Sequence, residues 1–164
     1  MADKACPGCG AMFPDIDGPV HPYMESTPGC WAAYGEVLAR EYGSMELMEI
    51  HRLSVDAYAI QHPGQPSRQA VNSVNLHLIR LFMQLDGGLA EAKANDVMRT
   101  LTTRKDEFEW LEPPPSRGSI TVADVAPCVE PEKHKTAVRA WARSALDAWS
   151  MHLPTIQKWA RDVR

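Results

Sequence analysis

The chain has 164 residues, of which 45% are hydrophobic and 23% are charged, as expected for a globular domain with one main core. No run of about 18 apolar residues occurs, so we expect no membrane-spanning helix. A net charge of −4 makes a nucleic-acid partner unfavourable. Because the N-terminus also lacks the apolar segment of a secretory signal, we predict a cytoplasmic protein.

Residues 1–27 are predicted to form a loop-rich arm. Proline and glycine recur throughout this stretch, and both interrupt regular secondary structure. The remaining residues, 28–164, show helical periodicity and no strand-like alternation of useful length. We therefore expect a Cys/His arm of the zinc-knuckle type, packed on a single helical bundle.

The bundle is predicted to be all-α, with about five helices. Thr27-Pro28 is typical of a helix start, and Ser67 and Thr121 are further candidate N-caps. Three consecutive prolines make a stiff connection near residues 113–118, and Pro154 should interrupt the last helix. The predicted helices cover about residues 28–42, 45–61, 68–86, 89–104 and 131–163.

The segment "CPGCG" is the strongest chemical signal in the arm. Cys6 and Cys9 have the C-x2-C spacing of two thiolates that bind one tetrahedral ion. Cys30 opens the first predicted helix, where the helix dipole favours the thiolate, and His21 would complete a Cys3His set. The reducing cytoplasm disfavours a disulfide, and a thioredoxin-type motif would need a βαβ setting. We therefore predict a structural zinc site at Cys6, Cys9, His21 and Cys30, with Cys128 a buried apolar residue.

The histidines of the helices suggest a second type of site. Imidazoles that project inward from several helices can hold a metal ion in a bundle. His51 and His62 lie about 16 Å apart along one helix, so they cannot bind one ion together. The alternative hypothesis is therefore a hydrolase- or transferase-type enzyme with a second, catalytic metal. Its candidate residues are His62, His77 and His152 as ligands, with Asp56 or Tyr58 in acid–base roles. For the charge of Asp56 we expect Arg52, one turn earlier, to be the partner.

Several longer segments carry a resemblance to a known family. They include "HPYMESTPGCWAAYGEVLAREYG", "HRLSVDAYAIQHPG", "NSVNLHLIRLF", "WLEPPPSRGSITVADV" and "AVRAWARSALDAW". With "CPGCG", they make the chain resemble the bacterial family labelled domain of unknown function 5946 over nearly its whole length. The resemblance implies a common fold, and the family label brings no established activity, substrate or cofactor.

The leading interpretation is a small cytoplasmic helical protein that binds one structural zinc ion. A protein partner or a small molecule is compatible with this interpretation, whereas a membrane is not expected. A nucleic-acid accessory role through the basic C-terminal residues is a third, less favoured hypothesis. The sequence does not define an oligomeric state or a reaction.

Overall fold

The computed structural model describes residues 2–163 and is mostly helical, which confirms the predicted fold class. Within these residues it contains seven α-helices and one two-stranded antiparallel hairpin. The elements in chain order are β1 (Asp3–Ala5), β2 (Met12–Pro14), α1 (Pro28–Tyr42), α2 (His51–Gln61), α3 (Arg68–Leu85), α4 (Ala94–Thr102), α5 (Val122–Val125), α6 (Pro131–Ala148) and α7 (Leu153–Val163).

Helix α2 lies at the centre of the bundle, packed between α3 and α6, while α3 also packs on α7. The α2 residues Tyr58 and Ile60 are fully buried. Two buried tryptophans of the C-terminal region satisfy their indole N–H groups on this helix. Trp141 donates to Gln61 Oε1 at 2.8 Å and Trp149 donates to the carbonyl of Ile60 at 3.1 Å. The centre of the core is therefore fixed by hydrogen bonds as well as by apolar packing.

The helix starts follow from local side-chain chemistry. Thr27 Oγ1 accepts the backbone N–H of Cys30 at 3.2 Å, and Ser67 Oγ accepts that of Ala70 at 3.0 Å. Thr121 and Asp124 form a reciprocal capping box at the start of α5. Each interaction satisfies a backbone donor that the first helical turn leaves unpaired, as the sequence predicts.

Three predicted helices are not continuous α-helices, and the one predicted over 89–104 begins with a 3-10 turn at Glu91–Lys93 before α4. The second begins with a 3-10 turn at Leu47–Ile50 before α2, and the last is split by a 3-10 turn at Ser150–His152. Pro154 therefore lies in the first turn of α7, where a missing N–H does not cost a helical hydrogen bond. The division of the last helix into α6 and α7, together with the short helix α5, accounts for seven α-helices where about five were expected.

The N-terminal arm contains a hairpin that the sequence does not predict. β1 pairs with β2 so that Asp3 lies opposite Pro14. With three residues each, the strands are too short to show an alternating pattern. Met1 and Arg164, the outermost residues of the predicted arm and bundle, lie outside the described residues. None of the helices in the described part is both long and apolar enough to cross a bilayer.

Candidate metal centre

The structure brings three cysteines and one histidine together. One ligand atom from each of Cys6, Cys9, Cys30 and His62 lies within 4.8 Å of the others. The cysteine pair comes from the turn after β1, Cys30 from the first turn of α1, and His62 from the end of α2. No other group of three or more His, Cys, Asp or Glu side chains within residues 2–163 meets this criterion. We call these four residues the cysteine cluster.

The interatomic distances in the cysteine cluster match those of a tetrahedral metal site. Cys9 Sγ lies 3.9 Å from Cys30 Sγ, and His62 Nε2 lies 3.4 Å from both Cys6 Sγ and Cys30 Sγ. A zinc ion bonded to sulfur at about 2.3 Å and to nitrogen at about 2.0 Å separates its ligands by about 3.8 Å (S···S) and about 3.5 Å (S···N). The donor set could therefore hold a tetrahedrally coordinated metal ion.

The orientation of His62 leaves a lone pair directed at the sulfurs. Its Nδ1 lies 2.7 Å from the backbone carbonyl of Tyr58, an atom that can only accept a hydrogen bond. Nδ1 therefore carries a proton, and in the neutral imidazole the lone pair of Nε2 faces Cys6 and Cys30. A backbone carbonyl that fixes the tautomer in this way is a common outer partner of metal-binding histidines.

The turn that contains Cys6 and Cys9 is shaped by two glycines, Gly8 within it and Gly10 directly after Cys9. Gly10 has a φ of +79°, a left-handed conformation that favours glycine, and its N–H donates to the carbonyl of Cys6 at 2.9 Å. At Gly8, a Cβ atom would lie 2.2 Å from Cδ2 of His62. The absence of a side chain at Gly8 therefore allows the turn to approach His62 closely enough to share a ligand set.

Tyr58 supports the cysteine cluster from below. Its hydroxyl lies 3.4 Å from Cys30 Sγ, and its ring stacks on His62 with a centroid distance of 3.8 Å. On its other face it stacks on Tyr34, also at 3.8 Å. Burial, reinforced by the neighbouring Cys30, raises the pKa of Tyr58 above its ordinary value, so the phenol stays protonated at neutral pH. Tyr58, which the sequence analysis named as a candidate acid–base residue, is therefore a buried, protonated phenol whose ring stacks on Tyr34 and His62.

The three thiols do not titrate alike. Hydrogen bonds from Cys30 and Cys9 lower the pKa of Cys6, whereas hydrogen bonding to Cys6 and Cys9, together with burial, raises the pKa of Cys30. For Cys9, Cys30 acts to lower the pKa, but Cys6 and burial raise it to about 11. Without a cation, the cysteine cluster therefore holds protons between its sulfurs, and metal binding must release them.

His21 lies outside the cysteine cluster. Its Nδ1 accepts the backbone N–H of Tyr23 at 3.3 Å, and its ring packs edge-on against Trp31 at 5.5 Å between centroids. The position predicted for His21 is occupied by His62, which follows Cys30 by 32 residues. Sequence spacing could not identify His62, because α1 and α2 must pack before it reaches the sulfurs. His62 is the C-cap residue of α2, and it is 1% exposed in the folded chain.

The three histidines predicted for a catalytic metal are held in three separate places. His62 belongs to the cysteine cluster, His77 Nδ1 lies 2.6 Å from Asp56 Oδ1, and His152 Nε2 lies 2.8 Å from the carbonyl of Glu112. They form no common group of ligands among the described residues. A second metal ion held by these three residues therefore has no geometric basis.

Asp56 is paired across helices and not along its own helix. Arg80 of α3 donates to both of its carboxylate oxygens, with Nη2 at 2.7 Å from Oδ1, and Gln84 donates to Oδ2 at 2.8 Å. Arg52, the expected partner, instead donates to Glu91 and Asn95. Asp56 is fully buried, so a bidentate guanidinium from the facing helix satisfies it better than an arginine at the bundle surface could.

Comparison with known proteins places the chain in one family. No curated protein and no solved structure matches it. A family model described as "Family of unknown function (DUF5946)" matches residues 4–150, which include the whole cysteine cluster. The chain therefore belongs to the DUF5946 family.

Proposed function

We propose that this chain is a zinc protein in which Cys6, Cys9, Cys30 and His62 bind one structural zinc ion. The observation that carries this proposal is the agreement between the sulfur and nitrogen spacings of the cysteine cluster and those of a tetrahedral zinc site. Three thiolates and a neutral imidazole form a soft, nitrogen-containing donor set, which favours zinc over magnesium or calcium.

A structural role follows from the number and burial of the ligands. Four protein ligands complete the coordination of zinc and leave no open position for water or substrate. Cys6 is 2% exposed, Cys30 0% and His62 1%, so solvent reaches the cysteine cluster poorly. Catalytic zinc sites keep an exchangeable position, which this arrangement does not offer.

The zinc ion would supply the stability that the arm cannot supply itself. In the hairpin, all of β1 is exposed and Phe13 is the buried residue of β2. Such a small apolar contribution is insufficient to hold a short hairpin. Through zinc, the hairpin turn would be joined to α1 and to the end of α2, so that metal binding becomes part of the folding free energy.

The same chemistry favours the cytoplasm as the location. Zinc binds thiolates, and these persist in a compartment where glutathione and thioredoxin keep cysteines reduced. All four cysteines are free thiols in the structure. A partner protein or a small molecule remains a prediction on which the proposed zinc centre does not depend.

Elemental analysis of the purified protein tests the proposal. We expect one zinc ion per chain in the wild type, and none in a Cys6→Ser/Cys9→Ser double variant or a His62→Ala variant. Cys128→Ser and His21→Ala are matched controls that should keep the zinc, because neither residue belongs to the cysteine cluster. The same measurement counts iron, the other metal that sulfur-rich sites bind.

Two results would contradict the proposal. The first is wild-type protein that neither contains zinc nor takes it up after reduction. The second is zinc retained in both the double variant and His62→Ala, because the metal would then lie elsewhere. Loss of zinc from His21→Ala with retention in His62→Ala would assign the fourth ligand to His21 instead.

A further inference from the structure

An arginine from the proline-rich connection lies against the turn that contains Cys6 and Cys9. Arg117 Nη1 donates to the backbone carbonyls of Pro7 at 3.1 Å and Gly8 at 2.5 Å. A cavity of about 300 Å³ is lined by the cysteine turn and by this guanidinium. Residues more than 100 positions apart in the chain are thus joined at the edge of the cysteine cluster.

A buried donor of Arg117 has no acceptor in this position. Its Nε is buried and has no hydrogen-bond partner among residues 2–163. A buried N–H without an acceptor is costly, so hydrogen bonding alone does not explain why a guanidinium is held here. The neighbouring chemistry offers a reason, since negative charge develops on the sulfurs when the thiols lose their protons.

The charge of the loaded cysteine cluster requires a counter-charge. Three thiolates around a divalent cation leave one net negative charge on the complex. Because Cys6 and Cys30 are buried, water screens this charge poorly, and a nearby cation stabilises it more than it would at the surface. Arg117 is the charged residue in the lining of the cavity that Cys6 and Cys9 share.

We propose that Arg117 is a positioning residue of the zinc centre: its hydrogen bonds to the Cys6–Cys9 turn hold its positive charge where that charge offsets the negative charge of the thiolate–zinc complex. This inference rests on the proposed function and deepens it. Arg117 raises the zinc affinity of the cysteine cluster without binding the ion itself. It also explains why the connection near residues 113–118 approaches the arm.

Competition with a chromophoric zinc chelator measures the effect on the full-length protein. We expect Arg117→Gln to raise the zinc dissociation constant at least about 10-fold, within the 10- to 100-fold range for outer partners of metal ligands. Because the proposed effect depends on charge, Arg117→Lys, which keeps the positive charge, should stay within about 3-fold of the wild type. As a second readout, the zinc-loaded thiols of Arg117→Gln should react faster with a disulfide reagent.

Arg68→Gln is the matched control. Arg68 also donates from Nη1 to two backbone carbonyls, those of Lys105 at 3.2 Å and Phe108 at 3.5 Å, but it does not line the cavity at the cysteine turn. Its removal should leave the zinc affinity unchanged. Circular dichroism of each variant establishes that the helices are folded. If Arg117→Gln does not fold, Arg117→Lys remains decisive, since a loss of affinity above about 10-fold would exclude charge as the cause.

The outcomes separate this inference from the proposed function. If the wild type binds no zinc, the proposed function fails and the role of Arg117 fails with it. If the wild type binds zinc and Arg117→Gln binds it equally well, only the inference about Arg117 is overturned. Equal weakening by Gln and Lys also overturns it, because the guanidinium would then act as a clamp and not as a charge.

Discussion

Two kinds of buried polar cluster lie in this molecule, and they differ in the chemistry of the side chains that face one another. In the helical bundle, Glu41 is fully buried but lies 2.8 Å from His51 Nδ1, 2.5 Å from Ser54 Oγ and 2.8 Å from His134 Nε2. In the cysteine cluster, three sulfurs and the lone pair of His62 face one another. The first arrangement pairs a carboxylate with donors from the chain itself, whereas the second gathers sulfur and nitrogen ligands that could hold one metal ion.

The hydrogen bonds of His134 extend the cluster that Glu41 forms with His51, Ser54 and His134, which we call the Glu41 cluster. Arg40 Nη1 lies 3.0 Å from His134 Nδ1, and a guanidinium can only donate. Nδ1 is therefore the acceptor, so the proton is on Nε2 and is donated to Glu41. The Asp56 carboxylate likewise has its hydrogen-bond partners within the chain, namely Arg80, His77 and Gln84. Buried titratable residues of a bundle therefore need not indicate a metal site, because the chain itself can supply their partners.

Metal removal should produce the largest difference between the N-terminal hairpin and the helical bundle. When zinc is chelated, the hairpin loses its attachment while the helical clusters keep their internal partners. We expect amide exchange of residues 3–14 to accelerate at least about 100-fold, and exchange in the middle of α3 to stay within about 3-fold. Hydrogen–deuterium exchange with and without chelator measures both. Equal acceleration in the hairpin and in α3 would show that the two regions do not fold independently.

Breaking the hydrogen bonds around Asp56 should have the opposite effect: the helical bundle should lose stability while the zinc centre is retained. Asp56→Asn removes the counter-charge of Arg80, which is itself buried, and should cost about 3–5 kcal/mol of unfolding free energy. The zinc content should stay at that of the wild type. Asp96→Asn is the control: it breaks an exposed pair with Arg99 and should change stability by less than about 1 kcal/mol. Urea denaturation gives both values, and equal costs would contradict the importance of burial.

The buried carboxylate of Glu41 should make the stability of the protein depend on pH. Burial acts to raise its pKa, but hydrogen bonds from His134, His51 and Ser54 outweigh burial and hold the pKa below its ordinary value of 4.5. The stability that the carboxylate contributes is therefore present above that value and is lost as the pH falls through the lowered pKa. Relative to Glu41→Gln, the wild type should be more stable by about 1.5–3 kcal/mol at pH 7.

Urea denaturation of metal-free protein at a series of pH values measures this difference and excludes the loss of zinc in acid. The advantage of the wild type should be constant from pH 7 down to about pH 5 and should shrink below about pH 4.5. An advantage that grows as the pH falls would have the wrong sign for a lowered pKa. It would mean that Glu41 is held in its protonated form.

The smallest expected effect concerns the contact between the two regions at Gly8. Gly8→Ala places a methyl group against His62 and should destabilise the loaded protein by about 1–3 kcal/mol, because the turn must move away from α2. Gly35→Ala is the matched control, since a Cβ atom there meets nothing within 4 Å and a helix favours alanine. Thermal unfolding of both zinc-loaded variants tests the difference. An unchanged melting temperature in Gly8→Ala would argue against close packing of the turn on His62.

The sequence predicts what local chemistry determines. Thr27 and Ser67 identify helix starts because a capping side chain acts within three residues, and the cysteine pair is recognisable because both ligands lie on one turn. His62 and the pairing of Asp56 with Arg80 depend on how helices pack. The candidates nearest in sequence make neither contact: His21 is not a member of the cysteine cluster, and Arg52 does not pair with Asp56.

X-ray absorption at the zinc edge of the purified protein tests the central claim most directly. We expect a first shell of three sulfur atoms at about 2.3 Å and one nitrogen atom at about 2.0 Å. Any zinc that His62→Ala takes up from an added excess should lack the imidazole contribution, which should persist in His21→Ala as purified. A shell of oxygen and nitrogen atoms without sulfur, or an imidazole signal that survives in His62→Ala, would contradict a zinc centre built from the cysteine cluster.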